Sequence, residues 1–330
     1  MSTARRPLPP PLRLPAPGFG RRTPPALFTP VMGLFGLGLA WRSAGSAYGA
    51  LEGLGDLILG AATLLLAGVL VAWLAKPLRR VAVIGEELRV LPGRTGLAAA
   101  SLSLMLAAAA MAPLAPRAAS VLAFLALTVH VALVVFFVRV LRQGPPEGRV
   151  VSPVFHLVFV GFIIGGLVAN ALGYSFLARW LVWLMLVPAG VIYGLSARQL
   201  VAGLPPAPLR PLLAIHLSPL CLLALVAHGA GMVAQAQVLA ALAAVVFAMF
   251  LVSGRWLVAG GFTPLWGAFT FPLAAFAGVL VTLSGGQGVM GAAAAVVLGL
   301  ATVATGVIAW RIFRLWPGGR LAARTNAAEA

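Results

Sequence analysis

An all-α integral membrane protein is the class this sequence predicts, with ten transmembrane helices paired as five helical hairpins. Three observations carry that expectation. Hydrophobic residues make up 62% of the chain and charged residues only 9%, with a mean hydropathy of +1.05, a composition that soluble domains do not reach. The apolar residues fall into ten runs, most of them long enough to cross a hydrocarbon core as a helix, and these runs are continuous and rich in Leu, Ala and Val rather than alternating as barrel strands do. Finally, the basic residues sort almost entirely to one side of the resulting topology, as expected of a polytopic membrane protein.

In chain order, residues 1–26 hold repeated prolines and five arginines, too little apolar content for a core, and read as a disordered cytoplasmic tail. Arg21 and Arg22 ahead of an apolar run also fit a twin-arginine signal, with the small residues after Arg42 as its cleavage site. The run instead continues into the helical pattern that follows. The ten segments are 27–43, 53–75, 95–114, 118–141, 153–174, 176–197, 211–232, 235–257, 263–284 and 289–313. Residues 314–330 are then a cytoplasmic C-terminal tail, leaving 27–313 as the membrane domain.

Short, weakly charged connections alternate with longer basic ones, such as K-P-L-R-R-V-A-V-I-G-E-E-L-R-V-L-P-G-R from Lys76 to Arg94. Of the 23 Lys and Arg residues, 20 fall on the side that holds the N-terminus, and only Arg42, Arg117 and Arg179 fall opposite. By the positive-inside rule both termini are cytoplasmic and the number of crossings is even. The same distribution removes the net charge of +17 as a sign of nucleic-acid binding: the charge flanks membrane segments, where anionic lipid is its partner. It also offers a field that attracts anions to the cytoplasmic mouth. Cys221 is the single cysteine, so neither a disulfide framework nor a Cys-based metal site is available.

The ninth segment contains L-W-G-A-F-T-F-P-L-A-A-F-A-G from Leu265 to Gly278. Pro272 in a helix leaves the carbonyl of Ala268 without its donor and bends the axis, which lipid tolerates only where protein or water covers the gap. Phe271 immediately precedes the bend, about 12 Å from the cytoplasmic helix end at about 1.5 Å per residue, near the middle of a core about 30 Å thick. A rigid ring there suits a pore plug. Packing or lipid contact is the competing reading for Phe269, Phe271 and Phe276. Prolines recur in the cytoplasmic halves of other odd-numbered segments, at Pro30, Pro153 and Pro219, whereas the third segment breaks the pattern. Bent first helices facing protein or water, with straighter second helices facing outward, would explain that distribution. Small residues such as Gly33, Gly36 and Gly38 serve either close packing or a lumen.

The first, fifth and ninth segments, F-T-P-V-M-G-L-F-G-L-G-L-A-W-R, V-S-P-V-F-H-L-V-F-V-G and W-G-A-F-T-F-P-L, resemble the tellurite-resistance/dicarboxylate transporter family. That family includes TehA-like bacterial proteins and is related to the slow-type anion channels of plant guard cells. The resemblance runs over 27–313 and implies five hairpins in pseudo-five-fold arrangement around a central anion pore lined by the odd helices. It implies a phenylalanine gate at Phe271, inner-helix kinks at Pro30, Pro219 and Pro272, a homotrimer with one pore per subunit, and a bacterial-type inner membrane. Candidates for the lumen wall are Phe28, Gly33, His216, Ser218, Phe269 and Thr270. No cofactor, metal or catalytic residue is expected.

The remaining polar residues have local readings. His130, His156, His216 and His228 lack the paired spacing of a metal site and suit structural hydrogen bonds or pore lining. Glu52 and Asp56 open the second segment and suit a helix N-terminus, with a proton-coupling pair as the alternative. Arg179 beside Trp180 and Trp183 reads as an interfacial anchor. Two other function classes stay open: a proton-coupled exporter of C4-dicarboxylate, sulfite or tellurite-related anions, and, more remotely, a haem or metal membrane protein.

Overall fold

Hydrophobic runs of the expected lengths fold as helices throughout a computed structural model of the chain, which describes residues 18–49, 51 and 53–330. Residues 1–17 of the expected tail, Ala50, Glu52 and the side chain of Glu147 lie outside the described residues. Thirteen α-helices form among the described residues: α1 (Phe28–Tyr48), α2 (Leu54–Leu74), α3 (Ala82–Arg89), α4 (Leu91–Met111), α5 (Pro116–Gln143), α6 (Ile164–Ala171), α7 (Ser175–Ala202), α8 (Leu217–Gly229), α9 (Val233–Val252), α10 (Gly254–Leu257), α11 (Gly267–Ser284), α12 (Gly288–Phe313) and α13 (Arg320–Thr325). No strand is present among them. Eight helical stretches are long and apolar enough to cross a membrane, counting Ala207–Gly229 and Pro264–Ser284 as continuous. The other two expected segments are α1, whose apolar run is interrupted by Gly, Ser and Arg42, and the shorter apolar stretch His156–Ala171.

Local chemistry sets the ends. Pro92 and Pro116 occupy first-turn positions of α4 and α5, where a missing N–H costs no helical bond. Gly49 (φ 63°) and Gly285 (φ 56°) close α1 and α11 in the left-handed conformation, donating to Gly45 O and Val281 O, as helix C-termini favour. Arg179 Nε donates to Ala230 O at 2.8 Å, so it covers a helix-end carbonyl while Trp180 and Trp183 remain exposed.

The inner helices begin irregularly. Short 3-10 turns at Pro25–Leu27, Ala207–His216 and Pro264–Trp266 lead into α1, α8 and α11. Pro30 and Pro219 are each the third residue of their α-helix, in the first turn, whereas Pro272 lies inside α11. Pro153 stands ahead of its helix, and the distortion of that segment comes later, as a π-helical turn at His156–Val160 followed by a 3-10 turn at Gly161–Ile163. Within this distorted stretch Val158 O accepts from His130 Nε2 at 3.1 Å.

Packing divides the helices into two sets. Helices α1, α4, α6, α8 and α11 contact one another in a closed order, α1 with α4, α4 with α6, α6 with α8, α8 with α11 and α11 back to α1. Each also carries its successor in the chain on its outer side: α2, α5, α7, α9 and α12 respectively. Among the long apolar stretches, the inner ones at Leu91–Met111, Ala207–Gly229 and Pro264–Ser284 are 67 to 89% buried over their most apolar window, and the outer ones only 17 to 33%. The exposed face of the outer set is apolar, with Leu64, Phe124, Val187, Val252 and Val303 all uncovered. Such a continuous apolar belt suits lipid rather than water.

The two described chain ends meet. Leu321, Ala322 and Thr325 of α13 are buried, Arg22 Nε pairs with Glu329 at 3.0 Å, and the N–H of Ala330 donates to Arg21 O at 3.4 Å. Thr23 and Ala26 are also buried, so residues 18–26 of the expected tail pack on the helix bundle, and residues 314–330 fold back beside them.

Candidate functional site

The most extensive contact in the inner set is between α1 and α11. It rests on small residues facing each other: a Cβ on Gly33 would collide with the Thr270 side chain, and one on Gly267 with Thr29 Oγ1. The Thr270 hydroxyl lies 2.7 Å from Gly267 O and 3.2 Å from Thr29 O, bridging the two helices. One residue on from Thr270, about 100° around the helix, Phe271 points inward. Its ring edge rests over Gly36, where an added Cβ would stand 2.9 Å from Cδ2.

Three cavities lie between the inner helices. A vestibule of about 650 Å³ is bordered by the basic connections and lined by Arg89, Arg94, Ser152, Ser196 and His216. A central cavity of about 40 Å³ is lined by side chains from all five inner segments, among them Met32, Ala99, His156, Ser218 and Phe271. A third, of about 250 Å³, opens beyond Gly36 toward Arg42. Phe271 lines both the central and the third cavity. Of the outer helices only α7 reaches any of the three, contributing Ser196, Gln199 and Leu200 to the vestibule. The third inner helix, α4, which has no mid-helix proline, contributes Thr95, Ala99 and Leu102 to the central wall.

Vestibule and central cavity adjoin at a histidine pair. His156 Nε2 and His216 Nδ1 are 3.0 Å apart, both residues are buried, and Tyr193 from α7 donates its hydroxyl to His216 O at 2.5 Å while its ring packs on His156. His156 lines the central cavity and His216 the vestibule. His130 is differently employed: with Nε2 donating to Val158 O, its Nδ1 accepts from Ser101 Oγ at 2.8 Å, so both ring nitrogens are occupied. Among the described residues no three His, Cys, Asp or Glu side chains gather as a metal site would require.

The residues singled out from sequence are thus spread over distinct environments. Phe271, His216 and Ser218 line the axial cavities, as do Pro219 and Pro272, and Pro153 borders the vestibule. Phe28 is fully buried and meets Trp73 of α2 edge-on, away from the axis. Phe269 faces a groove beside Phe247 and Phe250 of α9. Gly33 and Thr270 are consumed by the α1–α11 contact, and Pro30 begins α1 beside it. These orientations follow from helical geometry: Phe269 and Phe271, two residues apart, point to nearly opposite sides, so one ring alone can face the axis.

Arg94 and Gly36 were less visible in sequence. The expected third segment begins at 95, which leaves Arg94 in a loop, whereas α4 begins at Leu91 and carries it into the vestibule wall. The signal was Pro92, a first-turn residue that marks a helix start just before it.

Comparison with individually curated proteins gives no match. The family model described as voltage-dependent anion channel matches residues 22–313, a span that includes every inner helix and all three cavities. With apolar helices arranged around an interior lined by Phe271 and that match over nearly the whole chain, the protein belongs to the voltage-dependent anion channel family, whose members are membrane channels and transporters of anions.

Proposed function

We propose that the chain conducts small anions along the line of the three cavities and that the Phe271 ring is its gate. The single observation that carries this reading is the position of Phe271 in the walls of both the central and the third cavity. A ring shared by two consecutive cavities is the partition between them. The central space of about 40 Å³ admits a few water molecules, too few for a hydrated anion, and its largely apolar wall resists wetting. Displacing the ring joins the cavities.

On this reading the closed contact order of α1, α4, α6, α8 and α11 is a pseudo-five-fold inner ring within ten crossings, α1 and the segment through α6 included. The meeting of the two described chain ends on the side of the basic connections supports an even number of crossings with both termini cytoplasmic; a bacterial-type inner membrane is part of the same proposal. A homotrimer with one pathway per subunit is part of the same proposal, testable by native mass spectrometry.

The path carries little fixed charge at its centre. Bent helices offering backbone dipoles attract anions without binding them too tightly to release. The decisive experiment is Phe271→Ala in oocytes or planar bilayers, with chloride, nitrate, sulfite and malate substituted in turn. Anion current rises well above wild type on this proposal; a well-expressed variant with wild-type current refutes the gate. The buried His156–His216 pair on the path favours one second reading, proton-coupled anion export. A reversal potential that follows the pH gradient selects it over a channel.

A further inference from the structure

The vestibule wall contains a positive charge held by backbone carbonyls. Arg94 is 7% exposed. Its guanidinium donates to three carbonyls, Leu88 O at 2.5 Å, Gly148 O at 3.1 Å and Arg89 O at 3.5 Å, and lies 5.7 Å from the Phe137 ring. Carbonyls orient a cation without neutralising it. Arg94 also sits in the first turn of α4, whose N-terminus carries the positive end of the helix dipole and has no side-chain cap, so the helix adds to the local potential rather than offsetting it. Arg42, at the other end of the bundle, shows the contrast: Asp56 accepts from its Nε at 2.8 Å.

Three further polar atoms lining this same cavity have no hydrogen-bond partner although they are withdrawn from solvent: Ser152 Oγ, Ser196 Oγ and His216 Nε2. Ser196 and His216 are 6% and 8% exposed. Buried polar atoms are ordinarily satisfied, and three unsatisfied ones around a single cavity beside a carbonyl-held guanidinium point to a missing acceptor. They come from three separate segments, ahead of the π-helical turn, on α7 and just before α8, so no single loop conformation explains them. If His156 Nε2 donates to His216 Nδ1, the second nitrogen of His216 carries a hydrogen, and every group in the set is then a donor.

We propose that Arg94, Ser152, Ser196 and His216 Nε2 form a binding station for a small inorganic anion in the vestibule. There the anion exchanges part of its hydration shell for protein donors before it reaches Phe271. The station rests on the reading of the three cavities as an anion path and adds where an ion waits on it. Arg89 and Arg94 in its wall repel cations at the same point.

The test uses the full-length protein in detergent, with nitrate as the probe and gluconate holding ionic strength constant, reading the nitrate-dependent rise in unfolding temperature. Wild type gives a saturable rise. The variant Ser152→Ala/Ser196→Ala needs about tenfold more nitrate for half-saturation, the size expected for losing hydrogen bonds to a charged acceptor, and Arg94→Gln abolishes the rise. Should Arg94→Gln fail to fold, the serine pair decides alone. A non-saturable rise in wild type, or unchanged half-saturation in the variants, overturns the station. Phe271→Ala keeps its nitrate binding on this proposal, which separates the two readings. Unchanged current in that variant with serine-dependent nitrate binding removes the gate and leaves the station. Raised current with nitrate binding indifferent to Arg94 and both serines does the reverse.

Discussion

At the scale of single residues, the α1–α11 contact shows how much one missing methyl group decides. Gly33 accepts the Thr270 side chain into the space a Cβ would occupy, and the obstruction includes Thr270 backbone carbon at 3.0 Å, which cannot rotate away. Gly33→Ala therefore destabilises the protein by about 1 to 3 kcal/mol through overpacking. Gly60, on the outer helix α2, has nothing within 4 Å of its Cβ position, and Gly60→Ala gains about 0.5 to 1 kcal/mol from helix propensity alone. Thermal unfolding of both variants in one detergent checks the pair; equal melting temperatures contradict the assignment of Gly33 to close packing. The two glycines are chemically identical in the sequence. Only the neighbour contributed from 237 residues further along the chain separates them.

At the scale of elements, the short 3-10 leads and the π-helical turn fall on inner segments, and the π-helical turn has a partner. The π-helical turn at His156–Val160 carries the segment over Gly161, where a Cβ would stand 2.6 Å from Leu102 Cδ2. Its Val158 carbonyl is met by His130, reaching in from α5. That explains a fully buried histidine on an otherwise lipid-facing helix. His130→Ala leaves Val158 O and Ser101 Oγ short of their partner and costs about 1 to 3 kcal/mol, read as a lowered unfolding temperature with the anion selectivity of the assembled protein unchanged. A variant that melts with the wild type shows that the turn is held by something else. The prolines acquire a different sense at this scale. Pro30 and Pro219 do not bend the middle of a helix but begin one, after a 3-10 lead, while Pro272 retains an interior position.

At the scale of the whole molecule, segments far apart in sequence converge on a buried ion pair at the basic face. Lys76 Nζ lies 2.5 Å from Glu87 Oε1 and 3.0 Å from Thr23 O, with both charged side chains fully buried. Burial holds the Glu87 carboxyl above its ordinary value of 4.5 and the Lys76 ammonium below its ordinary value of 10.5, outweighing their mutual attraction. The signs follow by linkage. The raised Glu87 value stabilises the fold below pH 4.5, an effect lost as pH rises through the folded value. The lowered Lys76 value stabilises it above pH 10.5, an effect lost as pH falls through the folded value. Between the two folded values both groups are charged and the cost of burying them is largest. Lys76→Met alone strands the carboxylate and destabilises by about 3 to 5 kcal/mol, whereas Lys76→Met with Glu87→Leu is neutral or stabilising by about 1 to 4 kcal/mol. Chemical denaturation at neutral pH measures both; a double variant as unstable as the single one contradicts the account.

By itself the sequence determined the helical membrane class, the starts of all ten helical stretches to within four residues, the basic side and the family. These are properties of a segment taken alone, since run length and charge act on insertion without reference to neighbours. The candidate site was partly legible for the same reason: F-T-F-P marks a ring beside a proline wherever the helix lies. Tertiary structure decided which face each side chain took. Phe271 turned to the axis while Phe28, Gly33, Phe269 and Thr270 turned to neighbouring helices, because Trp73, Thr29 and the α9 phenylalanines stood there to receive them. It also decided that Arg94 entered the vestibule beside two unpartnered serines. A local pattern states that a residue will be buried, but its partner comes from a distant part of the chain and is known only when the chain has closed on itself.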